Sequence, residues 1–236
     1  MKASPSDYEW ADDLHTGVMP ARYWWDPEWR AKHTPGVMVA DPRPGAPKTN
    51  IWWKGDGGQA SAFLYGYESL WLPAGLLKED SIGRLADALF AASRQFETQL
   101  HFNKGLAGGS PDRIAASRDT ATNPAVLDAF ALVIIASGDP FRNATVPGHE
   151  PNAAKGREEA GRITAAADAL RSAVPNAGSY TNETNYFEKS FQTSFWGPNY
   201  PRLAEVKRKY DPEGLFFSHN GVGSERWNRD GFERVE

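Results

Sequence analysis

The stretch AFALVIIAS, Ala129–Ser137, decides the fold. It carries no charge, and Val133, Ile134 and Ile135 are β-branched, which favours extended backbone. At nine residues it suits a buried strand better than a helix, and at least its second half reads as one. Working outward, strands and helices alternate. Upstream, TQLHFN (98–103) places Leu100 and Phe102 on one side and Gln99, His101 and Asn103 on the other, the pattern of a half-buried strand. Before it, Asp80 or Ser81 can cap a helix whose apolar face is Ile82, Leu85, Ala86, Leu89 and Phe90. Earlier still, NIWW (50–53) and SAFLYGYESLWLP (61–73) read as strand, or strand and loop, ended by Pro73. Asn123-Pro124 opens a short helix just before the central strand. Downstream, a Pro/Gly/Asn loop covers 138–152. A long helix then runs from about Ala154 to Ala173 with Ile163, Ala166, Ala167 and Leu170 inward, and GSYTNE (178–183) reads as a final strand.

This order predicts an α+β fold, an antiparallel or mixed sheet covered by helices on one face. Three segments organise the chain: an irregular arm over 1–48 rich in Pro and Trp (Trp10, Trp24, Trp25, Trp29), an α+β domain over 49–178, and a C-terminal segment over 179–236. No repeat and no low-complexity tract is visible.

Composition narrows the chemistry. Among 236 residues there is no cysteine, which excludes disulfides, thiolate metal sites and a Cys nucleophile. The formal net charge of -4 argues against a general nucleic-acid binder. No run approaches a membrane span and the polar N-terminus lacks a signal-type apolar stretch, so the default expectation is cytoplasmic. There is no GxGxxG after a strand, no Walker loop, no HExxH and no GxSxG, and His15, His33, His101, His149 and His219 show no metal-ligand spacing.

Three segments could carry chemistry. Gln99, His101 and Asn103 form a polar strand face, which is either the outside of a sheet or a rigid ligand-binding surface. In SYTNETNY (179–186), Tyr180, Asn182 and Thr184 share a face if the segment is a strand; they would either bind a flat heterocycle or simply point outward from an edge. In SFWGPNYPRLAEVKRKYDPEGLF (194–216), Asn199 reads as an N-cap and Pro201 as a first-turn proline. Leu203, Val206 and Tyr210 make a stripe, Glu205 and Lys209 an i,i+4 pair, and Asp211-Pro212 a stop. Capping leaves Tyr200 and the Phe195-Trp196 pair unexplained.

The pattern Y-x-N at Tyr180–Asn182, followed by W-G-x-N-Y-x-R-L-x-x-V-K-x-x-Y-D-P-x-x-L-F from Trp196 to Phe216, resembles the C-terminal signature of the berberine bridge enzyme-like flavoproteins of the vanillyl-alcohol-oxidase superfamily. A weaker resemblance reaches back through LHFNKGLAGGSPDRIAASRDTATNPAV (100–126) to about Asn50, and GVGSERWNRDGF (221–232) is similar to members of the same family.

The resemblance implies the substrate domain of an FAD-linked oxidase together with the C-terminal segment that contacts FAD. It implies Tyr180, Asn182, Asn199 and Tyr200 near the cofactor, and Gln99, His101, Asn103 and Trp196 near a small organic substrate. A base would accompany hydride transfer to the flavin. The family's glutamate near the His101 strand is replaced here by Asn103-Lys104, which leaves Tyr200 or Glu183 as catalytic candidates. No glycine-rich flavin loop precedes residue 50, so the expected partner is a separate FAD-binding domain or subunit. Self-association through exposed apolar surface is also expected. The alternative function is a non-catalytic remnant or binding module that keeps the substrate-domain fold.

Overall fold

The structure is a computed structural model that describes residues 26–33, 36, 38–56, 62–103, 105–106, 108–140 and 142–235. Trp10, Trp24, Trp25 and Lys104 lie outside the described residues. The chain forms two compact units, one of residues 1–64 and 138–154, the other of 65–137 and 155–236.

In the first unit, helix α1 (Pro27–His33) precedes a two-stranded antiparallel sheet of β1 (Met38–Ala40) and β2 (Ile51–Trp53), with Val39 opposite Trp52. Arg43 is buried and closes on Asp41, which also accepts from the Asn50 amide at 3.1 Å. These bonds hold the Asp41 carboxyl well below the usual range. Trp29 stacks on His33 at 4.1 Å.

The second unit holds a three-stranded sheet in the order β3 (Phe63–Pro73), β5 (Ala129–Asp139), β4 (Gln99–Phe102). The β4–β5 pairing is antiparallel, with Leu100 opposite Val133 and His101 opposite Leu132. The apolar stretch read from sequence is therefore the central strand, buried because it has a neighbour on each side. Helices α2 (Ile82–Gln95) and α5 (Ala153–Ala173) cover one face of the sheet. Leu70, Leu72, Val133 and Ile135 meet Leu85, Ala88, Ala92, Ile163, Ala166, Ala167 and Leu170 in one core.

Small residues let α5 approach the sheet closely. Gly156 lies in the helix although glycine there costs about 1 kcal/mol relative to alanine. A Cβ at Gly156 would stand 2.7 Å from the Tyr65 ring. The four inward positions expected on α5 are all buried. On α2 the buried stripe is Leu85, Ala88 and Ala92, with Leu89 packed beside it. Ile82 and Phe90 flank that stripe and stay exposed, at 48% and 65%; Arg94 lies over the Phe90 ring. Five apolar residues spread over more arc than the sheet can cover, so the edges of the face remain in water.

The short helices α3 (Pro111–Arg118) and α4 (Pro124–Asp128) connect β4 to β5. Asn123 caps α4 as expected, accepting from the Ala125 N–H at 3.1 Å. The chain closes with α6 (Phe191–Trp196), α7 (Tyr200–Tyr210) and a coiled tail. Among the described residues, no helix is long and apolar enough to cross a membrane.

Leu170 is fully buried, so Leu170→Ala should lower the unfolding free energy by about 2–5 kcal/mol in urea titrations. Phe90→Ala should change it by about 0.5 kcal/mol or less.

Candidate functional site

The outer edge of β3 organises the site. Side chains alternate along this strand. Leu70 and Leu72 enter the helix-covered core, which leaves Tyr67, Ser69 and Trp71 on the opposite face. Residues 178–185 wrap that edge. The Trp71 N–H donates to the Gly178 carbonyl at 2.8 Å, and the Tyr180 N–H donates to the buried Ser69 Oγ at 3.0 Å. The rings of Trp71 and Tyr180 meet edge to face at 6.1 Å. A turn is closed by the Glu183 N–H, which donates to the Tyr180 carbonyl at 3.0 Å, and the Glu183 charge acts on the Tyr67 phenol. Burial first, then the Glu183 charge, pushes Tyr67 up to about 12.

Past the turn, the Asn185 amide donates to Glu68 Oε1 at 2.9 Å, and Arg171 of α5 donates to Glu68 Oε2 at 2.6 Å. Glu68 is 2% exposed, so its charge is held by these partners rather than by water.

The expected final strand over 178–183 does not form. One backbone bond to β3 is followed by a side-chain bond and a turn, and no ladder develops. Tyr180 and Asn182 still come together, because the Asn182 amide donates to the Tyr180 hydroxyl at 3.1 Å.

A second cluster anchors the head of α7. Ser194 O accepts from the Ser179 N–H at 2.8 Å and from the Asn123 amide at 3.0 Å, joining α4, α6 and the wrapped segment. Gly197 has φ +56°, and a Cβ there would stand 3.0 Å from Asn123 Oδ1. The position therefore suits glycine both in conformation and in space. Asn199 is not a side-chain N-cap; its own backbone is already helical, and its amide donates to the Thr122 carbonyl at 2.9 Å and the Thr120 carbonyl at 3.3 Å. The stripe expected on α7 buries nothing, since Val206 and Tyr210 are 45% and 75% exposed. Lys207 pairs with Asp211 at the helix end, and Asp211 also accepts from the Leu215 and Phe216 N–H groups, forming the expected stop.

Tyr200 packs edge to face on Phe191, donates to Glu225 Oε2 at 2.5 Å and accepts from the Gly223 N–H at 3.1 Å. Burial, reinforced by Glu225, raises its phenol far above the ordinary tyrosine value. That phenol is a poor proton acceptor at neutral pH.

On β4, Gln99 and His101 are exposed on the face away from the core. With strands about 4.8 Å apart, they lie about 10 Å across the sheet from the β3 residues. Asn103 is engaged: its amide donates to the Val126 carbonyl at 3.1 Å and its Oδ1 accepts from the Gly105 N–H at 2.9 Å. A shallow hollow of about 300 Å³ lined by Leu106, Gly109, Arg113, Ile114 and Ser117 adjoins that turn and carries no acid–base pair.

Three buried polar atoms in this part of the unit have no hydrogen-bond partner among the described residues: Trp71 Nε1, Thr184 Oγ1 and Trp196 Nε1. Buried polar groups without a partner are rare in folded proteins. No group of three or more His, Asp or Glu residues among the described residues could hold a metal ion. Reading the sequence alone overlooked Tyr67, Ser69 and Trp71. Their signal was the alternation in YGYESLW (65–71), visible only once 178–185 was known to cross it.

Residues 179–223 match the family model described as "Berberine and berberine like". The chain is similar to an uncharacterized FAD-linked oxidoreductase of Arthroderma benhamiae, with 49% identity over 75 residues that make up 31% of this chain and 13% of that protein. Its fold is similar to two VAO-type flavoproteins of Myceliophthora thermophila. One gives a TM-score of 0.52 at 19% identity, covering 68% of this chain and 27% of that one. The other gives 0.50 at 26% identity, covering 69% and 28%. The chain thus spans only a small part of the length of these relatives.

The Tyr200 clamp should depend on pH. Its phenol is raised in the folded state, so its contribution is whole below about 10, where an unfolded tyrosine ionises. It should be lost as pH climbs through the raised folded value. Tyr200→Phe should cost about 1 kcal/mol at neutral pH and flatten the alkaline limb of a denaturation profile.

Proposed function

We propose that this chain, similar over residues 179–223 to the berberine bridge enzyme-like flavoproteins, forms the substrate-side wall of a flavin-dependent oxidoreductase acting on a small organic substrate. FAD, held mainly by a flavin-binding domain or subunit, supplies a two-electron acceptor for oxidation of a substrate C–H when bound. The observation that carries this reading is the wrapped segment 178–185. All but its first residue lies in the family-matching region, and it brings Tyr180 and Asn182 to the edge of β3 beside orphaned donors on Trp71 and Thr184.

Within this site, Tyr180 and Asn182 orient the ligand; the Asn182 amide fixes the direction of the Tyr180 hydroxyl. The Trp71 ring backs Tyr180, and the Trp196 indole N–H offers a further donor. Gln99 and His101 bind the far end of the substrate across the sheet. The Glu183 carboxylate takes the proton from a substrate O–H or N–H. Tyr200 is left to structure, because its phenol is raised and already bound to Glu225 and Gly223. Asn199 and Asn103 likewise position backbone, since their amides are bound to carbonyls of this chain.

Exposed Phe187, Tyr210, Leu215, Phe216 and Phe232, all at least 70% accessible, give a flavin-binding partner apolar surface to cover. Mixing the chain with a flavin-binding domain and FAD should give a yellow complex that survives gel filtration; a colourless mixture would sink the proposal. In that complex, Glu183→Gln should lower kcat about 100-fold or more with FAD still bound.

A further inference from the structure

We propose that Asn143 is an acceptor site for an N-linked glycan, its carboxamide oxygen held by Thr145 in an Asn-Ala-Thr turn and its nitrogen left to solvent.

The pattern Asn-x-Ser/Thr occurs twice in the chain, at Asn143–Thr145 and at Asn182–Thr184. So short a pattern decides nothing alone, but the bonds around it separate the two copies. At the first, Asn143 Oδ1 accepts from the Thr145 N–H at 2.9 Å and from the Thr145 hydroxyl at 2.7 Å. Asn143 Nδ2 has no partner among the described residues, and the fold does not enclose it. The loop that displays it is closed on itself. The Asn143 N–H donates to the His149 carbonyl at 2.8 Å, and the Val146 N–H donates to the Asn143 carbonyl at 3.1 Å. Val146 is fully buried and anchors the loop, while Ala144 and Thr145 are exposed. All these bonds are local, so the turn forms without help from the rest of the fold.

Glycan transfer needs this arrangement. An amide nitrogen is a weak nucleophile, because its lone pair is shared with the carbonyl. When a base on the transferase removes a proton from Nδ2, negative charge develops on Oδ1, between the two Thr145 donors that stabilise it. Nδ2 then bonds to the anomeric carbon of a lipid-diphosphate oligosaccharide. The bond from that carbon to the diphosphate oxygen breaks, and the lipid diphosphate leaves with the electron pair.

The second copy lacks these features. The Asn182 amide donates to the Tyr180 hydroxyl at 3.1 Å, and Thr184 Oγ1 is buried with no partner, so it gives nothing to Asn182. Asn143 belongs to the first unit, and its assignment does not rest on the flavin reading.

The test directs the full chain into the secretory pathway of a eukaryotic host behind a cleavable leader. The product, recovered from cells and medium, is weighed intact before and after peptide-N-glycosidase treatment. Peptide mapping should place a glycan on Asn143 in most molecules and none on Asn182. Asn143→Gln and Thr145→Ala should each abolish the mass loss on deglycosylation. Thr145→Ser, which keeps the hydroxyl, should retain it, and Asn182→Gln should leave it unchanged. Chains without a glycan on Asn143, or with one on Asn182, would overturn the proposal.

Discussion

The buried carboxylate of Glu68 ties this unit together. It is 2% exposed and sits between the Arg171 guanidinium on α5 and the Asn185 amide of the wrapped segment. A carboxylate so removed from water needs both partners, because its desolvation outweighs a single hydrogen bond. One charge therefore fixes the long helix to β3 and draws residues 178–185 across the strand edge. The other contacts at that edge, from Ser69 and Trp71, depend on the same alignment. The edge is thereby covered, which removes a row of unpaired backbone groups from solvent.

The polar residues of the site divide into those that bind the chain to itself and those left available. Asn103, Asn123 and Asn199 all spend their amides on carbonyls of this chain, and Tyr200 spends its hydroxyl on Glu225 and Gly223. Those bonds make the frame stiff around the Gly197 turn. Tyr180 and Asn182 bond to each other through their side chains, and the indole N–H groups of Trp71 and Trp196 remain without partners among the described residues. The second group is where a ligand gains most, since its binding would satisfy donors that folding leaves buried.

Much of the fold was legible because its signals are local. The central strand Ala129–Asp139, the inward face of α5, the Asn123-Pro124 helix start and the Asp211-Pro212 stop follow from β-branching, the 3.6-residue period and proline chemistry. The departures share a physical cause. Residues 178–183 have strand-like composition, but their hydrogen-bond partners are a side chain on β3 and a turn, which propensity does not register. Phe90 and Val206 fit apolar stripes yet stay in water, because a helix face is buried only as far as a neighbour extends.

The sequence by itself determined the central strand, the two long helices that cover the sheet and the signature from Tyr180 to Phe216, because short-range backbone preferences and residue spacing carry that information. Only the tertiary structure decided which of the signature's polar side chains are free. Tyr200 meets Glu225, 25 residues on, and Asn199 meets Thr122, 77 residues back. The Tyr180 N–H meets the Ser69 hydroxyl, 111 residues back. Bonds over such separations are set by how the sheet and helices pack, and packing is what assigned Tyr200 to the frame.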